Sequence, residues 1–221
     1  MQKGNQYSIG ATPSFLRTHP ITSERISDIE NRLTEYPYKQ RLDDPSFHFV
    51  KGKIKVFLQD KKSIKKQLQS NLKNKTYVNE LGERYSLAYA YLLNENFSQA
   101  LEELKWFKNK KIKNPMIDQL NIQILLKKDD KDKAYKAIKN ALKEYPNYRA
   151  FIYELAEYLI YKKSINEAIK FLQRYSQIFN SDPNIYKLLA KAYSLNGKRT
   201  LQYESLAESF YYRYNLQEAI I

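Results

Sequence analysis

The chain has 221 residues, of which 43% are hydrophobic, so it is long enough for one large domain or an elongated repeat array with a core. It lacks cysteine, which excludes disulfides and cysteine-bound zinc, and it has no apolar run long enough to span a membrane. The formal net charge of +14 favours anionic partners such as acidic proteins, lipid headgroups or nucleic acid, although an ordinary solvated helix surface has the same composition.

Residues 1–45 differ from the rest of the chain. Their six basic and six acidic side chains balance, and Gly, Ser, Thr and Pro cluster before residue 24. Ile26, Ile29 and Leu33 then follow at intervals of three and four, which predicts one amphipathic helix. We therefore expect a junction loop and helix over 1–45 and a second domain over 46–221.

The positive charge is densest in residues 51–75, where nine lysines stand against Asp60 alone. Apolar residues recur at helical spacing from Phe47 to Leu72, with a break near Asp60, and this pattern predicts a pair of helices. We interpret the pair as a degenerate first repeat. The lysines are either a contact surface or a solvated helix face, and the sequence leaves both open.

A 34-residue period organises the chain that follows. Small or aliphatic residues recur in two series, which are Ala88, Ile122, Ala156 and Ala190, and Ala100, Ala134 and Ala168. This period is typical of tetratricopeptide repeats, in which each repeat is a pair of antiparallel helices. The sequence therefore predicts an all-α fold, a tetratricopeptide-repeat superhelix, with small residues where the paired helices cross and Gly197 as a helix C-terminal cap.

The pattern extends to the C-terminal end, where Ala207 and Ala219 are again 12 residues apart. Residues 206–211 resemble a further first helix, and Leu216 to Ile221 resemble the start of its partner. The apolar end at Ile220 and Ile221 indicates either a truncated chain or a surface that docks on something. The oligomeric state stays open.

The first helices of stacked pairs line the concave face of such a superhelix, where partners bind. Tyrosine offers a wide contact area with a hydrogen-bonding tip, and lysine binds carboxylates, although some of these tyrosines would instead fill gaps in the core. The repeat register predicts that the residues on this partner-binding face are Tyr85, Tyr89, Gln119, Gln123, Tyr153, Glu157, Tyr161, Lys187 and Lys191.

Two stretches carry a resemblance to a known family. The sequence PSFLRTHPITSERI at 13–26 resembles the junction between the protease domain and the repeats of BepA-like bacterial metalloproteases, and FHFVKGK at 47–53 is similar to the opening of their first repeat. The resemblance covers the whole chain in order. It implies a periplasmic protein concerned with assembly and quality control of outer-membrane proteins, in which the repeats dock on partners and an upstream domain cuts. Residues 1–12 contain no stretch of signal-peptide length, so an export signal would lie outside this chain.

The chain departs from that family where the chemistry would be. The family's zinc motif His-Glu-x-x-His is absent, since the chain has only His19 and His48 and neither is followed by Glu. Because catalytic zinc generally needs three protein ligands and a water, we predict no catalytic residue, cofactor or metal site on this chain. Zinc would be bound only if an upstream protease domain exists. By the resemblance, His19 would then lie in a loop near the zinc, and its alternative role is to cap the next helix or face solvent.

Two alternatives remain. A free-standing tetratricopeptide-repeat adaptor would bind proteins or peptides and have no protease role. A nucleic-acid binder is indicated only by charge, because the chain has no recognised binding motif and its aromatic residues fit the repeat pattern better than a stacking platform. We therefore predict protein or peptide partners, with the outer-membrane assembly machinery as one candidate, and neither nucleic acid nor a membrane span.

Overall fold

The computed structural model describes residues 22–34 and 43–220. The chain divides into two units between Asp43 and Asp44. The described part of the first unit is helix α1, Thr22–Thr34, in which Ile26 and Ile29 are about half exposed. The helix expected around these two residues is confirmed, whereas His19 lies outside the described residues.

The described part of the second unit is a succession of helices joined by short turns. Their bounds are α2 Pro45–Phe57, α3 Lys61–Asn74, α4 Glu80–Leu93, α5 Phe97–Asn109, α6 Pro115–Lys127, α7 Lys131–Glu144, α8 Arg149–Tyr161, α9 Ile165–Ile178, α10 Pro183–Leu195, α11 Arg199–Tyr211 and α12 Leu216–Ala219. The even-numbered helices from α2 to α10 are the first members of five pairs, so the helix pair expected between Phe47 and Leu72 is confirmed.

Alanines lie at the contacts between paired helices, as the period predicts. Ala100, Ala134 and Ala168 are fully buried, and so are Ala88 and Ala156. The first two pairs approach even more closely, because a Cβ added to Gly52 would clash with Ser86 Oγ. Small side chains therefore set the distance between helices, and larger apolar residues fill the remaining space.

The turn inside a pair has one geometry, which recurs from the second pair to the fifth. A residue in left-handed conformation follows the first helix, at Glu95, Asp129, Lys163 and Gly197, with φ of 58°, 59°, 59° and 71°. The amide of the next residue bonds a carbonyl five residues back, for example Ser164 N to Leu159 O at 2.9 Å. This is the Schellman motif, and the cap expected at Gly197 is confirmed.

The predicted start of a further helix at residue 206 was wrong. Residues 206–211 do not begin a helix of their own, because α11 runs unbroken from Arg199 to Tyr211 and packs on α10 as its second helix. The turn after α11 nevertheless resembles the turn inside a pair, with left-handed Tyr214 and a bond from Asn215 N to Phe210 O at 3.1 Å. The same helix therefore closes one pair and opens the next.

Among the helices of residues 22–34 and 43–220, none is long and apolar enough to cross a membrane.

The repeated turn predicts a reciprocal effect of glycine. Lys163→Gly should raise the free energy of unfolding by about 1 kcal/mol, and Gly197→Lys should lower it by about as much, because only glycine adopts the left-handed conformation without steric cost. Urea unfolding of both variants measures the two changes. As a control, Lys162→Gly should bring no gain, since Lys162 has a φ of −75°. A gain as large at residue 162 as at residue 163 would contradict this explanation.

Candidate functional site

Four of the nine predicted partner-binding residues line one open groove of about 770 Å³. Tyr153 and Glu157 come from α8, and Lys187 and Lys191 come from the equivalent positions of α10, one repeat later. The remaining residues that line this α8–α10 groove are Asn184, Leu188, Ala190, Ser194, Leu195, Gln202 and Leu206. The groove therefore combines an apolar lining with charged groups of both signs.

Tyr153 is held in place by a buried carboxylate. Its hydroxyl donates a hydrogen bond of 2.5 Å to Asp182 Oδ2, and Asp182 also caps α10 by accepting the N–H of Asn184 at 2.9 Å. Burial, and then the bond to Asp182, raises the pKa of Tyr153 to about 12. The phenol therefore stays protonated, and its ring is a fixed wall of the groove.

The charged groups of the groove are free to meet a partner. Glu157, Lys187 and Lys191 are exposed, and none of them forms an ion pair within the part of the chain that the structure describes. Lys187 and Lys191 are one helical turn apart, so both ammonium groups lie on the same side of α10. Since an exposed ion pair contributes at most about 1 kcal/mol, strong binding also needs the apolar lining.

Tyr85 does not lie on a partner-binding face, and this prediction was wrong. The residue is 2% exposed, and its ring stacks on Phe49 of α2 with centroids 4.6 Å apart. Burial raises its pKa well above the usual range for tyrosine. Phe49 is contributed by the degenerate first pair, so Tyr85 fills the core between α2 and α4.

The other predicted residues lie outside the α8–α10 groove. Tyr89 is half-buried, and Lys53 Nζ lies 5.3 Å from the centre of its ring. Gln119 and Gln123 are partly exposed on α6, and Gln119 Oε1 accepts a hydrogen bond from the hydroxyl of Tyr148 at 3.4 Å. Tyr161 is exposed at the end of α8, with Lys131 Nζ 3.9 Å from its ring centre. A binding role for these four stays a prediction.

The sequence analysis missed Glu154, a carboxylate at a repeat position that is buried in the other repeats. In the repeat register it corresponds to Ser86, Leu120 and Leu188, all of which are buried. Its Oε2 atom is buried without a hydrogen-bond partner. Burial, and then nearby Glu157, raises the pKa of Glu154 to about 8, while Lys53 acts in the opposite direction. Comparing position 154 with its equivalents in the other repeats would have found it.

A second cleft, of about 740 Å³, lies between α5 and α6. Its floor includes Leu104 and Ile117, and Lys108 and Lys111 lie at its rim. None of the nine predicted residues lines it. Lys108 lies in the last turn of α5 and Lys111 follows the helix, and positive charge near a helix C-terminus stabilises the helix by itself.

In residues 22–34 and 43–220, no three His, Cys, Asp or Glu residues lie close enough together to bind a metal ion. His48 is half-buried, and its ring contacts the Phe47 ring edge-to-face at 5.3 Å.

The helix pairs, their regular period and their repeated turn define the second unit as a tetratricopeptide-repeat superhelix. Residues 125–192 match the tetratricopeptide-repeat family. Two solved structures show the same fold. YrrB, described as a tetratricopeptide-repeat protein with an unusual peptide-binding site, matches with a TM-score of 0.51 and 13% identity over 63% of this chain and 72% of its own. MamA matches with a TM-score of 0.53 and 12% identity over 77% of this chain and 97% of its own.

The chain is also similar to a protease. It is 25% identical over 213 residues to the β-barrel assembly-enhancing protease of Yersinia pestis. The matched region covers 96% of this chain and 44% of that protein. The resemblance to the repeat region of BepA-like proteins is thereby confirmed. The chain spans less than half of the length of this relative.

Glu154 predicts an unusual dependence of stability on pH. The native chain holds this proton up to about pH 8, whereas the unfolded chain releases it near 4.5, so stability should fall as the pH rises between these values. Glu154→Leu, which copies Leu120 and Leu188, should remove that slope and raise the free energy of unfolding at pH 8 by on the order of a few kcal/mol.

Urea unfolding across this pH range measures the effect, and Glu204→Leu on the exposed surface of α11 is the control, for which we expect the wild-type slope. An unchanged slope in Glu154→Leu would show that the carboxylate is solvated in the native protein.

Proposed function

We propose that this chain is a docking module that binds a segment of another protein in the α8–α10 groove, and that it belongs to a periplasmic protein of outer-membrane protein assembly and quality control. The observation that carries the docking role is the convergence of Tyr153, Glu157, Lys187 and Lys191 on one groove, with charges that have no ion-pair partner among the described residues. The register of the repeats places these residues side by side, so the groove is a product of the repeat itself.

The groove favours an amphipathic segment with an acidic group. A carboxylate would lie between Lys187 and Lys191, where two donors one turn apart can share it. Apolar side chains would contact Leu188 and Leu195 beside the fixed ring of Tyr153. A donor or cation on the same segment would face Glu157. Charge would set orientation and specificity, while apolar burial would supply most of the affinity.

The proposed setting rests on the relative. Its name states that it enhances β-barrel assembly and is a protease, and the similarity extends over 96% of this chain. The chain itself contains two histidines, neither followed by glutamate, so the cutting step would belong to another part of a longer protein. The competing proposal, a free-standing adaptor, predicts no protease in the same reading frame. A gene that encodes His-Glu-x-x-His upstream of Met1 would decide between the two.

The groove predicts which variant loses its partner. We expect the wild-type chain, used as bait in a cell-envelope extract, to retain outer-membrane assembly components that mass spectrometry identifies. Lys187→Glu with Lys191→Glu should weaken this capture by about tenfold or more, because both carboxylate donors become repulsive.

The matched control is Lys136→Glu with Lys143→Glu, which makes the same change of net charge at two exposed positions of α7. It should retain the wild-type capture. Equal capture by the groove variant would move the contact to another surface, and the absence of any envelope partner from a folded, helical sample would refute the proposed setting.

A further inference from the structure

Helix α2 has two apolar faces, of which one packs on described helices and the other is exposed. Phe49, Gly52 and Val56 are buried, and α2 packs on α4. The other face is a ridge of large apolar side chains that continues into the turn before α3. Its members, which we call the α2 ridge, are Phe47, Val50, Ile54, Phe57 and Leu58. Phe57 and Leu58 are each 75% exposed, so the ridge is most prominent at the corner between α2 and α3.

The two helices that meet at this corner carry many lysines without ion-pair partners. None of the nine lysines of residues 51–75 forms an ion pair with any described residue. Lys65 Nζ lies 2.9 Å from the neutral Asn96 Oδ1, and Lys53 acts electrostatically on Glu154 without forming an ion pair. The one acidic residue, Asp60, accepts the N–H of Lys62 at 3.1 Å and caps α3. Some lysines elsewhere do pair, as Lys113 does with Glu144 at 2.8 Å. The charge around the ridge is therefore available to an external anion.

One kind of partner supplies both an apolar interior and a dense anionic surface. A block of nine lysines fits a protein interface poorly, because the core of such interfaces is depleted of lysine, and binding of nucleic acid does not require an exposed aliphatic ridge. An anionic bilayer accepts apolar side chains at the boundary between headgroups and acyl chains and attracts each nearby lysine. We propose that the α2 ridge and the lysines of α2 and α3 bind the surface of an anionic phospholipid bilayer.

The geometry of α2 fits this contact. Phe57 and Leu58 would enter the boundary region first, since they are the most exposed. Lys51 and Lys55 flank the ridge on α2, and lysine extends its ammonium group toward phosphates while its alkyl chain stays on apolar surface. The contact is interfacial, because no described helix can span the membrane. It shares no residue with the α8–α10 groove, so the lipid-binding proposal and the docking proposal can be tested independently.

Vesicle sedimentation of the full chain tests this inference. We expect binding to vesicles of phosphatidylcholine and phosphatidylglycerol in equal parts, and little binding to phosphatidylcholine alone. Phe57→Ser with Leu58→Ser should weaken binding to the anionic vesicles by about tenfold or more, because the inserted side chains are lost. Lys62→Glu with Lys66→Glu should weaken it by a similar factor through charge reversal on exposed α3 positions.

Lys136→Glu with Lys143→Glu on α7 is the matched control, which changes the net charge equally and should bind within about threefold of wild type, because charges beyond a Debye length are screened. Circular dichroism checks that each variant is folded, and the charge-reversed pair keeps the test decisive if the serine pair unfolds.

Three results would overturn the proposal. These are no binding to anionic vesicles, equal losses in the α3 and α7 variants, and a wild-type dimer that Phe57→Ser with Leu58→Ser converts to a monomer. The last result would make a second copy of the chain the occupant of the ridge.

Discussion

The close crossing of paired helices at alanine is the constraint on which the rest of the second unit depends. Ala100, Ala134 and Ala168 are fully buried, and a larger side chain there would force the two helices of a pair apart. Since the same crossing recurs from repeat to repeat, equivalent positions of successive first helices lie side by side. Tyr153 and Lys187, which occupy the same position in successive repeats, thereby become neighbours in one groove although a whole second helix, α9, separates them along the chain.

Charged side chains are distributed unevenly over this scaffold, and they differ in whether a carboxylate of the same chain already pairs with them. Lys113 and Lys133 are neutralised by carboxylates on their own surface and contribute little to recognition. The lysines of α3 have no such partners among the described residues, and those of α10 line the same groove as Glu157 and several apolar side chains. The net charge of +14 therefore does not by itself locate a binding surface. A binding surface differs from a solvated one in having unpaired charge next to exposed apolar side chains.

Local periodicity predicted most of the fold. The helices, the alanine crossings and the cap at Gly197 depend on residues within one repeat, and sequence spacing reports such contacts directly. Tyr85 was misplaced because its burial depends on Phe49, which a different and irregular pair supplies. Glu154 was missed because a carboxylate is expected on the surface, although Leu120 and Leu188 at the equivalent positions mark a buried site, and the structure shows that its Oε2 atom is buried.

Asp182 connects the two walls of the α8–α10 groove. It caps α10, holds the hydroxyl of Tyr153 on α8 and lies 3.4 Å from Arg149 Nη1, all through one buried side chain. A rotation of either helix would break several bonds at once, so the width of the groove is stiff. A ligand of this groove would therefore meet walls that are already in place and would lose less affinity to ordering them, and its own shape rather than accommodation by the protein would decide the fit.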